Sequence, residues 1–509
     1  MTNKLCDRGM TFQDCELAIL RTAVDQAEEK QGKTIVNSPD VKKMISIVEN
    51  FIRRKKLICY GGTAINAILP KQDQFYNKDT EIADYDFFST NALADAKELA
   101  DIYFKEGFEE VEAKSGQHHG TYKVFVNFIG MADITQLHKD IFKTLKETAI
   151  SVAGILYCSP NYLRMSMYLE LSRPSGDVSR WEKVLKRLTL LNKHHPLKGD
   201  KCNTGDFQRE METITDDTDK RKIYDTLRDT FIDQGVVFFG GYAMSMYRHY
   251  MPKYLREKIV QTPDFDVLSE EPHKTATIVK ERLKDNGIKD VKIVKHNSIG
   301  EIVAPHYQII IGNSDTVAFI YQPIACHSYN IVNIHNEKLK IATIDTMLSF
   351  YLAFLYSGRS YYDDERIICM AEYLYKVQEK NKLQQKGVLK RFSLNCYGHQ
   401  ETIEEMRAEK TRKFEELKKD RRSAEFEEWF LRFRPAEQSK REEENKQSRI
   451  KEKEKKERGK KREKSHKGVK GVKGKTLKQK TKKIKKKLPK GNKKNKSTRK
   501  EKNRFAHLL

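Results

Sequence analysis

Apolar and polar residues follow the same order in two parts of the chain. In the segments 58–64 and 237–243 a short apolar run ends in Gly-Gly, which opens onto a helical pattern. The segments 83–89 and 263–269 then carry an Asp-x-Asp triplet among apolar residues. The glycine pairs are offset by 179 residues and the aspartate pairs by 180. Two elements in the same order and at the same spacing indicate an internal repeat.

Each repeat continues with the same succession of helical and strand-like patterns. Apolar residues at helical spacing predict helices over 92–105 and 273–285. Strand-like runs follow at 108–113, 120–128 and 131–137 in the first repeat, and at 291–295, 299–311 and 316–322 in the second. This order predicts an α+β fold with two tandem units, each a mixed sheet flanked by helices.

Helical additions surround the two repeats. Helical periodicity occurs at 10–29, 38–54, 179–191, 341–356, 363–376 and 400–434, and we expect the ordered pattern to end at Pro435. The predicted regions are a helical region at 1–55, the two α+β units at 56–200 and 201–340, a helical region at 341–435 and a Lys-rich tail at 436–509. The tail cannot bury a core, so we expect it to be disordered.

Charge is distributed unevenly over these regions. Residues 437–509 contain 32 Lys and Arg against 9 Asp and Glu, a formal charge of +23, whereas the whole 509-residue chain carries +25. The body is therefore almost neutral, which excludes a uniformly basic surface. Lys-rich segments such as Lys485–Lys487 bind polyanions without sequence preference, through counterion release.

Cysteine spacing and apolar run length limit the class of protein further. The eight cysteines are widely scattered, and no two of them form a Cys-x-x-Cys pair. We therefore expect neither a zinc site nor a disulfide framework, but reduced thiols in a cytosol-like compartment. No apolar run approaches the ~18 residues of a membrane-spanning helix, so no membrane association is expected.

The candidate chemistry begins at the Gly-Gly turn of the first repeat. Gly61 and Gly62 lack a Cβ, so the backbone there can approach a ligand closely. Amides at the start of a helix favour phosphate, and Thr63 adds a hydroxyl donor. Because an isolated Gly-Gly turn is more often structural, the interpretation depends on the acids that follow.

Three aspartates follow the turn. Asp84 and Asp86 are two residues apart, so on a strand both point to the same face. Adjacent carboxylates repel unless a cation neutralises them, and together with substrate phosphates they suit Mg²⁺; a solvated polar strand is the alternative. Asp133 lies in an otherwise apolar strand, where a carboxylate needs a partner. Three acids opposite a phosphate cradle predict a two-metal site for phosphoryl transfer.

These residues resemble the nucleotidyltransferase superfamily of DNA polymerase β type. The longer segments Cys59–Asn66, Asp84–Ser89, Gly130–Thr135 and Leu171–Val184 resemble the poly(A) polymerase catalytic subunit of large cytoplasmic DNA viruses. The giant amoebal viruses are the best match and poxviruses are more distant. The resemblance extends over about residues 40–400 and implies nucleotidyltransferase-like folds for both units.

The resemblance implies template-independent transfer of AMP from ATP to the 3′-OH of viral mRNA, with Mg²⁺ or Mn²⁺. It assigns Asp84, Asp86 and Asp133 as metal ligands, and Gly61 and Gly62 as contacts of the nucleotide phosphates. It also implies a homodimer in the host cytoplasm, at the viral factory, with the virion as a second location.

Basic residues downstream of Asp133 are candidates for closing over a triphosphate. Among them we select Arg164 and Lys183, for which pairing with surface acids is the alternative role. Both residues come soon after Asp133 in the sequence, so we expect their side chains to reach the same site.

The second repeat departs from the first. Aligning the segment 319–320 with 128–129 places Ile324 at the position of Asp133, so no carboxylate completes the second set. A bulky Tyr242 also follows the second Gly-Gly. We therefore predict a degenerate second unit, with catalysis confined to the first.

Asp264 and Asp266 are then remnants, or polar contacts for RNA or for the dimer. Two other functions remain open. One is terminal transfer of another nucleotide, such as a uridylyl group, because base choice depends on a few pocket contacts. The other is a non-catalytic RNA-binding scaffold, against which the complete set of three acids in the first repeat argues.

We predict that removing the residues after Pro435 weakens RNA binding and shortens the products more than it slows a single AMP addition. A polycation binds RNA without taking part in the chemistry, and its affinity for RNA falls steeply as the salt concentration rises. Product length on a short primer at physiological salt is the measurement. Unchanged product length would exclude tethering and leave the tail as a localisation or solubility segment.

Overall fold

The computed structural model describes residues 5–6, 9–77, 79–82, 84–200, 202, 209, 211–251, 256, 263–334, 337–381, 384–440, 443–444 and 446–452. Met1–Arg441 form one compact unit and Glu442–Leu509 a second. In the second unit the described residues are helical. In the Lys-rich tail, residues 436–440, 443–444 and 446–452 are helical, which corrects the predicted disorder for them, and the rest of the tail lies outside the described residues.

The helices of the first unit are α1 (Phe12–Val36), α2 (Pro39–Lys55), α3 (Gly61–Ile68), α4 (Ala92–Lys105), α5 (Lys139–Thr148), α6 (Pro160–Leu171), α7 (Trp181–His194), α8 (Asp217–Asp233), α9 (Gly241–Ser245), α10 (Pro272–Asp285), α11 (Ile344–Phe354), α12 (Asp364–Lys380), α13 (Ile403–Leu417) and α14 (Ala424–Phe430). The strands are β1 (Ile58–Cys59), β2 (Tyr85–Ser89), β3 (Val111–Ser115), β4 (Thr121–Val126), β5 (Ile129–Gln136), β6 (Ile150–Val152), β7 (Ile155–Tyr157), β8 (Val237–Phe238), β9 (Phe265–Leu268), β10 (Val291–His296), β11 (His306–Ile311), β12 (Asp315–Tyr321), β13 (His327–Ile334), β14 (Glu337–Ala342), β15 (Cys396–Tyr397) and β16 (Arg432–Phe433).

The strands form two mixed sheets that repeat one topology. The first has the order β16-β3-β4-β5-β2-β1-β7-β6, and the second β10-β11-β12-β9-β8-β14-β13-β15. Apart from the edge strands β16 and β15, each strand of one sheet has a counterpart in the other, with the same parallel or antiparallel neighbours. The internal repeat and the α+β class predicted from the sequence are confirmed.

Helices cover one face of the first sheet. Along β3 and β4 burial alternates, with Ala113 and Val124 buried and Lys114 and Lys123 at least partly exposed. The amphipathic helix α4 packs on the buried side of β3, β4 and β5, because its apolar residues repeat at helical spacing. The opposite side, which carries Asp86, Lys123 and Asp133, is called the open face below.

The two repeats meet through helices. α6 of the first repeat packs on α11 of the second, and every residue of α11 is buried. A helix that is mostly apolar on all sides needs such an interior position, and its buried Asp345 is paired with Arg391. Among the described helices, none combines the length and the apolar character that crossing a membrane requires.

The C-terminal region predicted as helical also contributes strands. β15 pairs with β13 of the second sheet, and β16 pairs with β3 of the first. The ordered pattern does not end at Pro435, since residues 435–440 are helical. Proline is well tolerated in the first turn of a helix, where its missing N–H has no intrahelical partner to lose.

The expectation of reduced thiols is wrong for most of the cysteines. Disulfides join Cys6 to Cys15, Cys202 to Cys369 and Cys326 to Cys396, whereas Cys59 and Cys158 are free and buried. Two of these bonds link residues 70 and 167 positions apart. Spacing in the sequence cannot reveal partners that only the tertiary fold brings together.

Candidate active site

Three aspartates meet where β2 and β5 run side by side. The strands are parallel, and Asp86 lies opposite Asp133 in their register. Asp84 precedes Asp86 by two residues and is exposed at the entrance to the strand, so it shares the same face. Tyr85 and Phe87, which alternate with the acids, are buried in the core. The structure therefore brings together the three acids that the sequence singled out.

Burial and the charges of neighbouring carboxylates raise the pKa values of Asp84 and Asp86. Burial, followed by the charges of Asp84 and Asp133, raises the pKa of Asp86 to about 7. Burial and the charge of Asp133 also raise the pKa of Asp84. Positive charge nearby therefore favours the ionised forms of Asp84 and Asp86. A set of carboxylate oxygens fits a hard divalent ion, so the residues present suit the predicted Mg²⁺ or Mn²⁺.

Lys123 is a member of the site that sequence reasoning missed. It lies on β4 directly opposite Asp133, and its ammonium group contacts the Asp133 carboxylate. The charges of Lys123 and Arg180 both oppose the rise in the pKa of Asp86. Alternation along β4 predicts that Lys123 points away from the core, but its partner follows from the register of β4 against β5, which the sequence does not show.

The Gly-Gly turn packs against the acids. Gly61 starts α3 with a φ of 69°, in the left-handed region, and a Cβ there would lie 2.8 Å from Oδ2 of Asp86. A Cβ on Gly62 would overlap the hydroxyl of Tyr76 and lie 2.9 Å from Nη1 of Arg187. Glycine at position 61 is favoured by the backbone conformation, and glycine at position 62 lets the ends of the Tyr76 and Arg187 side chains approach the backbone closely.

Thr63 uses its hydroxyl inside the protein. Its Oγ1 donates to the backbone carbonyl oxygen of Asp84 over 2.6 Å. This contact ties the first turn of α3 to the segment that enters β2, and so fixes Asp84 relative to the Gly-Gly turn. A contact of Thr63 with a phosphate stays a prediction.

Arg164 is not at the site. Its side chain is fully buried, and its guanidinium donates to Oδ1 of Asn192 at 2.7 Å, to Oδ1 of Asn161 and to the carbonyl of His195. Burial lowers the pKa of Arg164. The prediction that Arg164 contacts a triphosphate is therefore wrong, because the guanidinium is used to hold α6 against the end of α7.

Arg187 takes the position that the sequence reasoning gave to Lys183. Lys183 is exposed on α7, and Arg187 follows one helical turn later beside Gly62. Nη2 of Arg187 donates to Oη of Tyr76 at 2.8 Å, and its guanidinium carbon lies 4.6 Å from the ring centroid of Phe75. Helical periodicity places both cations on one side of α7, but only the fold shows which one meets the Gly-Gly turn.

The loop that carries Phe75 and Tyr76 is fixed at two points. Oδ1 of the buried Asn66 accepts the backbone N–H groups of Phe75 and Tyr76, at 2.7 and 3.0 Å. Oδ2 of Asp73 lies 2.6 Å from Nε2 of His194, at the end of α7. The aromatic pair and Arg187 are therefore held in place as a wall of the site.

In the second repeat, an arginine forms ion pairs with both aspartates of the Asp-x-Asp pair. Asp264 and Asp266 are buried, and Nη2 of Arg209 lies 2.5 Å from Oδ2 of Asp264 and 2.8 Å from Oδ1 of Asp266. Burial alone would lower the pKa of Arg209, but the charges of the two carboxylates raise it above its usual value. The cavity that remains has a volume of about 20 Å³, room for a single water molecule and not for a nucleotide.

Phe319 occupies the position that corresponds to Asp133. It lies opposite Asp266 in the parallel pairing of β9 and β12, as Asp133 lies opposite Asp86 in the first repeat. The alignment that gave this position to Ile324 was shifted along the chain, but its conclusion is unchanged, since no carboxylate stands at this register. Among the described residues, the second Asp-x-Asp pair is therefore neutralised by the guanidinium of Arg209, and no carboxylate stands at the register of Asp133.

Known proteins share the features of the first repeat. The model of a family described as Poly(A) polymerase catalytic subunit matches residues 46–177. A putative poly(A) polymerase catalytic subunit of African swine fever virus (strain Badajoz 1971 Vero-adapted) is 33% identical over 171 residues, 32% of this chain and 36% of the relative. That of Acanthamoeba polyphaga mimivirus is 29% identical over 198 residues, 38% of this chain and 32% of the relative. The chain thus spans about a third of the length of these relatives.

A solved structure extends the likeness to most of the chain. The crystal structure of the Megavirus polyadenylate synthase matches with a TM-score of 0.68 over 86% of this chain and 88% of that chain, at 19% identity. At this identity the match shows the fold. The resemblance to viral poly(A) polymerase catalytic subunits that the motifs indicate is confirmed, and the two-unit fold is shared with the Megavirus protein.

Proposed function

We propose that this protein is a template-independent poly(A) polymerase that transfers AMP from ATP to the 3′-OH of viral mRNA. The observation that carries the proposal is the convergence of Asp84, Asp86 and Asp133 against the Gly61-Gly62 turn. The matched family covers this part of the chain. The proposal includes action as a homodimer in the cytoplasm of the infected cell, at the viral factory and in the virion.

The residues divide the work of the reaction between them. A bond forms between the RNA 3′-oxygen and the α-phosphorus of ATP, and the bond from that phosphorus to pyrophosphate breaks. Bound Mg²⁺ or Mn²⁺ would lower the pKa of the attacking hydroxyl and stabilise the leaving group. Asp86 and Asp133 hold their oxygens in fixed positions because their strands are paired. Gly61 brings the start of α3 close to Asp86, and Gly62 brings it close to Arg187, which adds positive charge beside the backbone amides proposed to bind the phosphates.

We expect Arg187→Ala to raise the KM for ATP about tenfold or more, because a charge-assisted contact to phosphate is lost, with a smaller effect on the KM for RNA. Arg187→Lys keeps the charge but not the planar stacking on Phe75, so its KM for ATP should lie between those of the wild type and Arg187→Ala. Steady-state kinetics with each substrate varied separately makes the measurement. A larger effect from Lys183→Ala would return the role to Lys183.

Base selectivity separates this function from its alternatives. Pure protein is incubated with a short RNA, Mg²⁺ or Mn²⁺, and each nucleoside triphosphate separately. Extension with ATP alone supports the proposal, and preferred extension with UTP indicates terminal uridylyl transfer instead. No extension with any nucleotide favours the RNA-binding scaffold.

A further inference from the structure

A row of charged side chains crosses the open face of the first sheet. Asp86 lies opposite Asp133, Asp133 opposite Lys123, Lys123 opposite Lys114, and Lys114 opposite Arg432. Directly opposed residues of adjacent strands project to the same face of a sheet. The five side chains therefore form one line over β2, β5, β4, β3 and β16. It begins at the acids and ends, as three successive cations, at the edge of the sheet.

The cations of this row become more exposed away from the acids. The side chains of Lys123, Lys114 and Arg432 are 39%, 46% and 71% exposed. Paired strands lie about 4.8 Å apart, so Arg432 is about 14 Å from Asp133 along the row. This gives an accessible basic track, a few nucleotides long, that leads to the three acids.

Lys114 is the member of the row with the loosest acidic partner. Lys123 contacts an aspartate of the site, and Nε of Arg432 lies 3.2 Å from Oε1 of Glu112. Nζ of Lys114 is 4.0 Å from Oε2 of Glu112 and 4.2 Å from the ring centroid of Phe125. Phe125 is half-buried and lies opposite Glu112 in the register, so its ring shares the open face. An exposed ammonium group without a close carboxylate partner, beside an aromatic ring, suits the binding of a phosphate and a base.

The row and the Gly-Gly turn lie on opposite sides of the acids. Gly61 meets Asp86 from the side of β1 and α3, whereas the row leaves Asp133 in the other direction, through β4. Two substrates that react with one another need two approaches to the same acids. If the triphosphate binds on the side of the Gly-Gly turn, the RNA 3′ end can reach the acids from the opposite side, along the row.

We infer that this row, with Phe125, binds the last nucleotides of the RNA strand, with phosphates on Lys114 and Arg432 and a base on Phe125. The inference rests on the proposed function, since it names the path of that reaction's RNA. Point charges and one ring carry no pattern of base-edge donors and acceptors, so the track accepts any single-stranded sequence.

The C-terminal segment completes the track. Arg432 reaches the row because Leu431 and Phe433, on either side of it, are buried against the first sheet. Nζ of Lys97 on α4 also lies 2.6 Å from Oε1 of Glu427 on α14. The edge strand β16 thus has a role beyond covering β3, because it extends the open face by one cation.

Site-specific photocrosslinking tests the track with the full-length chain. RNA primers carry a single 4-thiouridine near the 3′ end, and crosslinked peptides are identified by mass spectrometry. We expect crosslinks in β3, β4 and β16, reduced in Lys114→Ala and retained in Lys114→Arg. Primer binding by Lys114→Ala should weaken about three- to tenfold at low salt, and the slope of log affinity against log salt should fall by about 1.

Lys105→Ala is the matched control, since Lys105 is exposed on α4, which covers the other face of the same sheet. Both variants keep the basic tail, so only the row distinguishes them. Crosslinks confined to other regions, or an equal loss in Lys105→Ala, would overturn the track even if AMP addition is intact. Crosslinks along the row without any addition from ATP would support the RNA site and overturn the proposed function.

Discussion

Replacing Asp133 by alanine is expected to lower the rate of AMP addition by at least about a thousandfold. Asp133 stands between Asp86 and Lys123 in the register of the sheet, so its loss removes one of the three carboxylates available to a metal ion. A metal ion stabilises the transition state of such a reaction by several kcal/mol, and each 1.4 kcal/mol changes the rate by about a factor of ten. The Asp133 side chain is 21% exposed, so the fold should tolerate the change. Initial rates of AMP incorporation measure the loss.

Asp84→Ala should behave in the same way, and Asp264→Ala in the second repeat should keep most of the activity per folded molecule. Because Asp264 is buried and paired with Arg209, the folded fraction of that variant must be measured by circular dichroism and used to correct the rate. Comparable losses in Asp84→Ala, Asp133→Ala and Asp264→Ala would contradict the assignment of catalysis to the first repeat.

Local patterns explain why the acids and the repeat could be predicted. Gly-Gly at a strand-to-helix turn and Asp-x-Asp on a strand each depend on a few neighbouring residues, and their recurrence 180 positions later is visible without any structure. The helix over 92–105 was also predicted with its observed ends, because its apolar residues repeat at helical spacing up to both ends.

Contacts between distant segments explain what could not be predicted. Lys123 and Phe319 owe their positions to the register between strands, which depends on the whole sheet. Arg432 reaches the open face only because it pairs with Lys114, which lies more than 300 positions earlier in the chain. Arg164 shows the converse error, since a cation close to the acids in sequence proves to be buried among neutral acceptors.

Arg209→Ala is expected to lower the free energy of unfolding by about 3–5 kcal/mol, because Asp264 and Asp266 would stay buried without the guanidinium that contacts both of them. Arg366 lines the same cavity, and its charge opposes the rise in the pKa of Asp266, so it offsets part of the lost positive charge. Urea denaturation at neutral pH measures the loss. Activity per folded molecule should change little, since the reaction is proposed for the first repeat.

A second set of variants separates loss of charge balance from loss of packing. Arg209→Met combined with Asp264→Asn and Asp266→Asn should recover most of the stability, since removing a whole buried ion cluster costs far less than removing one member. The penalty in Arg209→Ala should also shrink as the pH falls. Burial already raises the pKa of Asp266, and an acid whose pKa is raised in the folded state loses its destabilising charge as the pH drops through that pKa. The guanidinium carbon of Arg209 also lies 4.7 Å from the ring centroid of Phe319. If the loss of unfolding free energy does not change with pH and is not recovered in the triple variant, Arg209 stabilises the protein by packing on Phe319 and not by neutralising Asp264 and Asp266.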